Sequence, residues 1–132
     1  MDLKDYLNQF DRFAAATGVV LTEVGEGFAK AVMAVEERHL NGANVCQGGA
    51  IYTLADLAFA ASVNSHGLMT VGTNNGITYL RSALKGDTLT AEAREENHHK
   101  LPFCEVRVTN QRGELVCIMT GTAYRRNQPL IP

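Results

Sequence analysis

The sequence contains no tryptophan, only three prolines and no surplus of positive charge. Its formal net charge is −2, whereas proteins that bind nucleic acids or anionic membranes usually carry a basic excess. No apolar run approaches the roughly 20 residues that cross a bilayer. The first twelve residues mix charged and apolar side chains, unlike a secretory signal peptide. We therefore expect a cytoplasmic protein without nucleic-acid or membrane partners.

Cysteine is also scarce, and Cys46, Cys104 and Cys117 are widely spaced. Without a Cys-x-x-Cys pair or a Cys/His cluster, a structural zinc site is not expected. Each thiol stands among apolar residues, so we expect buried, unreactive thiols in a reducing compartment. The run from His98 to Lys100 has no cysteine or carboxylate at a metal-ligand spacing and indicates an exposed loop. The sequence predicts neither a metal ion nor a cofactor.

The length of 132 residues suits a single domain spanning residues 1–132. The residue patterns predict an amphipathic helix over 2–16 that Gly18 ends, and a buried helix over 48–64. They predict strands over 18–21, 28–36, 70–80, 88–95, 103–110 and 114–125. Strands grouped apart from helices are typical of an α+β fold with an antiparallel sheet. Because the second helix is apolar on every face, we expect about six strands to curl around it.

Asp56 is the one charged residue of the apolar segment 48–64, and no lysine or arginine lies in that segment. A carboxylate rarely becomes buried without a partner, because desolvation costs several kcal/mol. One interpretation is a carboxylate held in a dry pocket as a general base or nucleophile. The alternative is a structural one, in which Asp56 contacts Thr53 or a distant arginine, or faces solvent at a gap.

Gly48 and Gly49 open the same helix, where the first backbone N–H groups lack intrahelical partners. Glycine allows a ligand to approach closely, and the helix dipole favours negative charge there. The N–H of Gly48 is therefore a candidate oxyanion donor, although a Gly-Gly pair is also a common joint between a loop and a helix. Eight residues at 1.5 Å each place Gly48 and Asp56 roughly 12 Å apart. A site that uses both residues therefore needs two antiparallel copies of the helix, and so at least a homodimer with shared sites.

Together, several short segments resemble the hotdog-fold acyl-CoA thioesterases, and most closely their phenylacetate-pathway (PaaI-like) branch. These segments are Asn41, Gln47-Gly48-Gly49, Ala50-Ile51-Tyr52-Thr53-Leu54-Ala55-Asp56, Ile77-Thr78-Tyr79-Leu80-Arg81 and Gly86-Asp87-Thr88-Leu89. The resemblance covers about residues 2–125. It implies the hotdog fold, hydrolysis of an aryl- or medium-chain acyl-CoA, and a dimer or a dimer of dimers.

The resemblance also implies roles for individual residues. Asp56 matches the catalytic carboxylate, as base or nucleophile, and Gly48 matches the glycine whose N–H polarises the thioester carbonyl. Asn41 matches a loop asparagine that positions the water or the thioester. Gln47 stands where many members have histidine; it can donate a hydrogen bond but cannot carry a proton. Thr73, or Gly72 if the match shifts by one residue, takes the place of a Ser or Thr near the attacking water.

Further residues are expected to contact the rest of the substrate. Gly49 and Tyr52 lie beside the catalytic positions, and basic residues near strand ends should meet the CoA phosphates. The candidates are Arg81, Lys100 and Arg125.

Two other functions on the same fold remain open at this point. A non-catalytic acyl-CoA sensor would bind the ligand without hydrolysis, but it has no use for a carboxylate at the thioester. A hydratase or dehydratase usually pairs histidine with an acid, and position 47 is not histidine.

Overall fold

Six antiparallel strands and one long helix form the body of the chain, and a computed structural model describes all 132 residues. The helices are α1 (Leu3–Phe10), α2 (Arg12–Thr17), a 3₁₀ turn (Glu37–His39) and α3 (Gly48–Val63). The strands are β1 (Val20–Gly25), β2 (Phe28–Ala34), β3 (Leu68–Tyr79), β4 (Thr88–Glu95), β5 (Phe103–Thr109) and β6 (Leu115–Pro129). The predicted α+β class and the order of elements are confirmed.

All strands join one sheet in the order β1-β2-β4-β5-β6-β3, and the sheet curls around α3. Alanines make this close packing possible. Ala29 and Ala31 of β2, Ala91 of β4, and Ala55 and Ala58 of α3 are fully buried. Since their side chains are a single methyl group, the helix backbone can lie near the sheet without leaving a void.

The N-terminal segment differs from the prediction of one helix over 2–16. Asp11 has φ −81° and ψ 86°, which breaks the helix into α1 and α2. Its carboxylate then accepts a hydrogen bond from the N–H of Ala14 at 3.1 Å, which is the N-cap interaction of α2. Gly18 ends α2 at φ +86°, as predicted.

The strand boundaries also show differences. Thr88–Glu95 is found as predicted, whereas β1 begins at Val20 rather than residue 18 and runs to Gly25. The register of β2 is set by Ala29, Ala31 and Met33, whose side chains face the core.

The three cysteines are buried and unpaired, as expected. Burial raises the pKa of the Cys46 and Cys117 thiols to about 11 and that of Cys104 to about 12. Thiols of such high pKa are poor nucleophiles at neutral pH.

Strand β3 forms one edge of the sheet and pairs only with β6. Of its twelve residues only Thr70 is buried. A long strand with a free edge readily pairs with another chain. None of the helices is long and apolar enough to cross a membrane.

Candidate active site

The first turn of α3 presents free backbone donors. Gln47 is the N-cap residue, but its side chain makes no capping hydrogen bond. The N–H groups of Gly48 and Gly49 have no acceptor within the chain. Both can therefore donate to a ligand at the positive end of the helix dipole.

Tyr79 of β3 fixes the position of this turn. Its hydroxyl donates a hydrogen bond to the carbonyl of Gly48 at 2.8 Å. A methyl group added at Gly48 would lie 2.9 Å from Tyr79 Cζ, so the tyrosine ring packs directly on the glycine. Tyr79 was not among the residues predicted for the site, because the two positions are 31 residues apart in the chain.

The side chain of Gln47 packs against Gly49. A methyl group at Gly49 would lie 2.7 Å from Oε1 of Gln47, so the glutamine side chain lies over the helix start. The backbone N–H of Gln47 donates to the carbonyl of His39 at 2.7 Å. These three residues and Thr53 line a surface pocket of about 380 Å³.

Asp56 does not lie in a dry pocket within one chain, because the curled sheet leaves one side of α3 uncovered. The helix buries nine of its 16 residues, but Gly49 and Asp56 are exposed on the side that the sheet does not reach. The carboxylate of Asp56 pairs with no lysine or arginine. Partial desolvation raises its pKa, and the negative charge of Asp11 raises it further. Water can reach the group, yet it is less hydrated than a free carboxylate.

Gly48 and Asp56 stay apart because α3 is unbroken from Gly48 to Val63. The eight residues between them correspond to roughly 12 Å of helix. One chain therefore does not bring the free N–H of Gly48 and the Asp56 carboxylate to a common carbon atom.

Asn41 organises its own loop. Its Oδ1 accepts hydrogen bonds from the N–H of Ala43 at 2.9 Å and of Val45 at 3.3 Å. The side-chain NH₂ group has no partner within the chain and is exposed. Only this donor end of Asn41 is available to a ligand.

Thr73 lies at an irregularity of β3, where the pairing with β6 shifts between Gly72 and Asn74. Its hydroxyl is 3.0 Å from that of Thr122, on the face of the sheet opposite the buried Gly121 and Ala123. The chain itself thus turns Thr73 away from its own α3. Gly72 faces the helix instead, because a methyl group there would meet the Phe59 ring at 3.5 Å.

Tyr52, expected to contact the substrate, has a polar partner that was not predicted from the sequence. Asn75 of β3 donates from Nδ2 to the hydroxyl of Tyr52 at 2.8 Å, which joins the edge strand to α3. Oδ1 of Asn75 is buried without a hydrogen-bond partner. The hydroxyl proton of Tyr52 also has no acceptor in the chain, so this pair has unused hydrogen-bonding capacity.

The three basic candidates have different surroundings. Arg81 forms an ion pair with Glu114 at 3.2 Å and lies near Gly48 around a surface pocket of about 510 Å³. Lys100 is exposed. Arg125, expected to meet CoA phosphates, is only 6% exposed, and its guanidinium is held by Glu95 and by backbone carbonyls. Its hydrogen bonds to the protein leave little for a phosphate.

Comparison with known proteins identifies the family to which this chain belongs. The family model of the thioesterase superfamily matches residues 43–117, which include both α3 and the edge strand. The chain belongs to the thioesterase superfamily. A protein from Archaeoglobus fulgidus that carries an esterase name is 40% identical over 98% of this chain and 85% of its own length. The acyl-coenzyme A thioesterase PaaI of Escherichia coli is 37% identical over 87% of this chain and 83% of its own length.

Similar solved structures agree with these relatives. The structure of E. coli PaaI, from the phenylacetic acid degradation operon, superposes with a TM-score of 0.91 at 33% identity and covers 95% of this chain and 91% of its own. A Streptococcus mutans protein bound to acetyl CoA has a TM-score of 0.79 at 27% identity, over 83% of this chain and 89% of its own. The predicted hotdog fold and PaaI-like family are thereby confirmed, and the chain is a thioester hydrolase.

Proposed function

We propose that this protein hydrolyses an aryl- or medium-chain acyl-CoA to the free acid and CoA, with Asp56 and Gly48 as its central catalytic groups. One observation carries the proposal: α3 offers unpaired N–H groups at its first turn and an unpaired carboxylate two turns later. Thioester hydrolysis needs these two functions, a donor for the carbonyl oxygen and a base or nucleophile for the carbonyl carbon.

In this mechanism the N–H of Gly48 donates to the thioester oxygen and stabilises the negative charge of the tetrahedral intermediate. Asp56 acting as a base takes a proton from water, whose oxygen bonds to the carbonyl carbon. The C–S bond then breaks, and the CoA thiolate leaves and takes up the proton. Asp56 acting as a nucleophile instead bonds to the carbon directly, expels the thiolate, and forms an anhydride that water hydrolyses.

The environment of Asp56 suits either role. Its pKa is raised by desolvation and by Asp11, which makes the carboxylate a stronger base. No cation neutralises the charge on the carboxylate. The free NH₂ of Asn41 and the amide of Gln47 serve as additional donors that position the thioester or the water.

The same geometry supports a proposal about the oligomeric state. We propose a homodimer or a dimer of dimers in which Gly48 of one subunit and Asp56 of the next share a substrate. The roughly 12 Å between the two groups in one chain supports this arrangement. The free, mostly exposed edge of β3 supports it too, since a second copy would cover it. In such a dimer Thr73 is free to serve the neighbouring site.

The acyl group is assigned to the neighbourhood of Tyr52. A mostly apolar helix with a tyrosine hydroxyl and Asn75 at its side suits an aromatic or medium-length chain. The occurrence of E. coli PaaI in a phenylacetic acid degradation operon is consistent with an aryl group.

Hydrolysis can be tested by release of free thiol from a series of acyl-CoA and aryl-CoA thioesters. Asp56→Asn keeps the shape of the side chain, and we expect kcat to fall about 10²–10⁴-fold while acyl-CoA still binds. Asp5→Asn, on the exposed face of α1, is the matched control and should not change kcat. An Asp56→Asn protein that retains more than about a third of kcat contradicts the assignment.

The same assay separates the competing functions. A sensor would bind acyl-CoA without releasing thiol. A hydratase would change the acyl chain and leave the thioester intact. His39 offers no support for hydratase chemistry, because both of its ring nitrogens are engaged, with the N–H of Glu36 and the carbonyl of Thr17.

A further inference from the structure

A short hairpin of residues 39–47, which we call the Asn41 hairpin, leads into the start of α3. The N–H of Gln47 donates to the carbonyl of His39 at 2.7 Å, and the N–H of Asn41 donates to the carbonyl of Val45 at 2.8 Å. Asn41 lies inside the hairpin, and Gln47 ends it as the N-cap residue of α3. The positions of both side chains, which we propose as donors, therefore depend on what holds this hairpin in place.

The ring of His39 connects the Asn41 hairpin to α2. Its Nδ1 accepts a hydrogen bond from the N–H of Glu36 at 2.9 Å, and its Nε2 lies 2.7 Å from the carbonyl oxygen of Thr17. A ring nitrogen that accepts from an N–H carries no proton, whereas one that faces a carbonyl must carry one. The neutral Nε2–H tautomer therefore satisfies both contacts. Because His39 is only 5% exposed, water does not readily replace either partner.

Helix α2 gives the His39 contact a fixed reference beside α3. The carbonyls of the last two residues of α2 have no partner within the helix, and the 3₁₀ turn satisfies both of them. His39 contacts the carbonyl of Thr17, and Nη1 of Arg38 donates to that of Ala16 at 2.6 Å. Residues of α2 and of the first turns of α3 line the same surface pocket of about 380 Å³, so the two helices lie side by side there.

The other strand of the Asn41 hairpin is held by the backbone. The N–H of Cys46 donates to the carbonyl of Ala83 at 2.8 Å. Loss of the His39 contact would therefore leave the hairpin attached on one side and free to shift on the other. We expect such a change to displace the proposed donors without unfolding the chain.

We infer that His39 is a positioning residue for the reaction: through its Nε2–H it ties the Asn41 hairpin to α2 and thereby fixes Gln47. This inference rests on the proposed function, in which the amide of Gln47 donates to the thioester or the water. The effect passes from the ring to the backbone carbonyl of His39 and from there to the N–H of Gln47. His39 itself contacts none of the reacting atoms.

Two amide variants separate the two contacts of the ring. His39→Gln keeps a donor to Thr17 near the former Nε2, whereas His39→Asn keeps only an acceptor for the N–H of Glu36 near the former Nδ1. Each variant leaves one buried backbone group unpaired, so both should lower the melting temperature to a similar degree. Only His39→Asn should lower kcat, by about three- to tenfold at unchanged KM, because only this variant releases the hairpin from α2. His98→Asn, at an exposed histidine, is the matched control and should leave kcat unchanged.

A double-mutant cycle identifies the residue through which His39 acts. In the Gln47→Ala background, His39→Asn should cost less than about twofold in kcat, because the group that it displaces is already absent. An additive cycle overturns the inference. So does an unchanged kcat in His39→Asn, or an equal loss of kcat in His39→Asn and His39→Gln, which indicates a purely structural role.

Two further measurements do not depend on hydrolysis. Nitrogen NMR of the wild-type protein should show a neutral His39 ring with its proton on Nε2, and a proton on Nδ1 overturns the inference. Hydrogen exchange of the Gln47 amide should be about tenfold faster in His39→Asn than in His39→Gln, because the base of the hairpin opens more often. Equal exchange rates overturn the inference as well. If the wild type hydrolyses no acyl-CoA, the proposed function fails by itself, and these two measurements still decide whether His39 fixes Gln47.

Discussion

Subunit complementation tests the proposed shared active site most directly. Asp56→Asn removes the carboxylate. Gly48→Val displaces the donor, because any side chain at Gly48 must push the Tyr79 ring, which would lie 2.9 Å from the new carbon. Each variant alone is expected to be inactive. Since α3 separates the two positions by roughly 12 Å, a mixed dimer has one site with both groups intact and one with neither.

The expected activity follows from random exchange of equal amounts of the two variants. About half of the dimers are then mixed, and each has one working site out of two. The mixture should therefore recover about a quarter of the wild-type activity, measured as thiol release after exchange has been verified with differently tagged subunits.

A chain that carries both Asp56→Asn and Gly48→Val provides a control in which subunit exchange should lower the activity. Mixed with wild type, it gives dimers in which each site contains one damaged group, so the activity should fall to about half of that before exchange. A site contained within one chain would give no recovery in the first experiment and no loss in the second. That pair of results, or a fully active monomer, refutes the shared-site reasoning.

Four further predictions concern single residues. Because burial and Asp11 raise the pKa of Asp56, its ionised form is disfavoured in the folded state. Asp56→Asn should therefore raise the melting temperature at pH 7, with the gain vanishing below the unfolded pKa of 3.8. Tyr79→Phe should lower kcat about three- to tenfold, since the carbonyl of Gly48 loses one hydrogen bond; an unchanged kcat argues against positioning by Tyr79. Gln47→Ala should lower kcat by on the order of 10²-fold or less, whereas Gln47→His should be tolerated; a silent alanine variant leaves Gly48 as the sole donor. Arg125→Met leaves a buried carboxylate without its arginine and should cost about 3–5 kcal/mol in urea unfolding, against about 0.5 kcal/mol or less for Arg126→Met.

Much of the fold was predictable because it depends on patterns that repeat along the chain. The alternation in 88–95 gave the bounds of β4, and the apolar segment from Gly48 gave α3. The break at Asp11 was not predictable from periodicity. Apolar residues keep helical spacing on both sides of it, and the break is marked by the N-cap hydrogen bond that the N–H of Ala14 donates to the Asp11 carboxylate.

The candidate site, like the fold, was predictable from the sequence only in part. A lone carboxylate in an apolar helix that begins with two glycines is a local signal, so the sequence was enough to propose Asp56 and Gly48 as site residues. The residues Tyr79 and Asn75, which hydrogen-bond to α3, were missed. Strand β3 is brought beside α3 by its pairing with β6, and this pairing is not visible in the sequence. The burial of Arg125 was not predictable for a related reason: nothing next to it in sequence reveals that Glu95 and the end of α3 surround it.

The sequence alone therefore determined the class of fold and the central helix, and it singled out the two groups that we propose as catalytic, since helix periodicity and unpaired end groups are properties of consecutive residues. The tertiary structure decided which side of α3 remains open, how Asp56 is solvated, and which cations are free to meet a ligand. These properties depend on residues far apart in the chain. Solvation and charge pairing depend on all the neighbours of a residue in space, and the order of residues in the sequence does not reveal which residues those neighbours are.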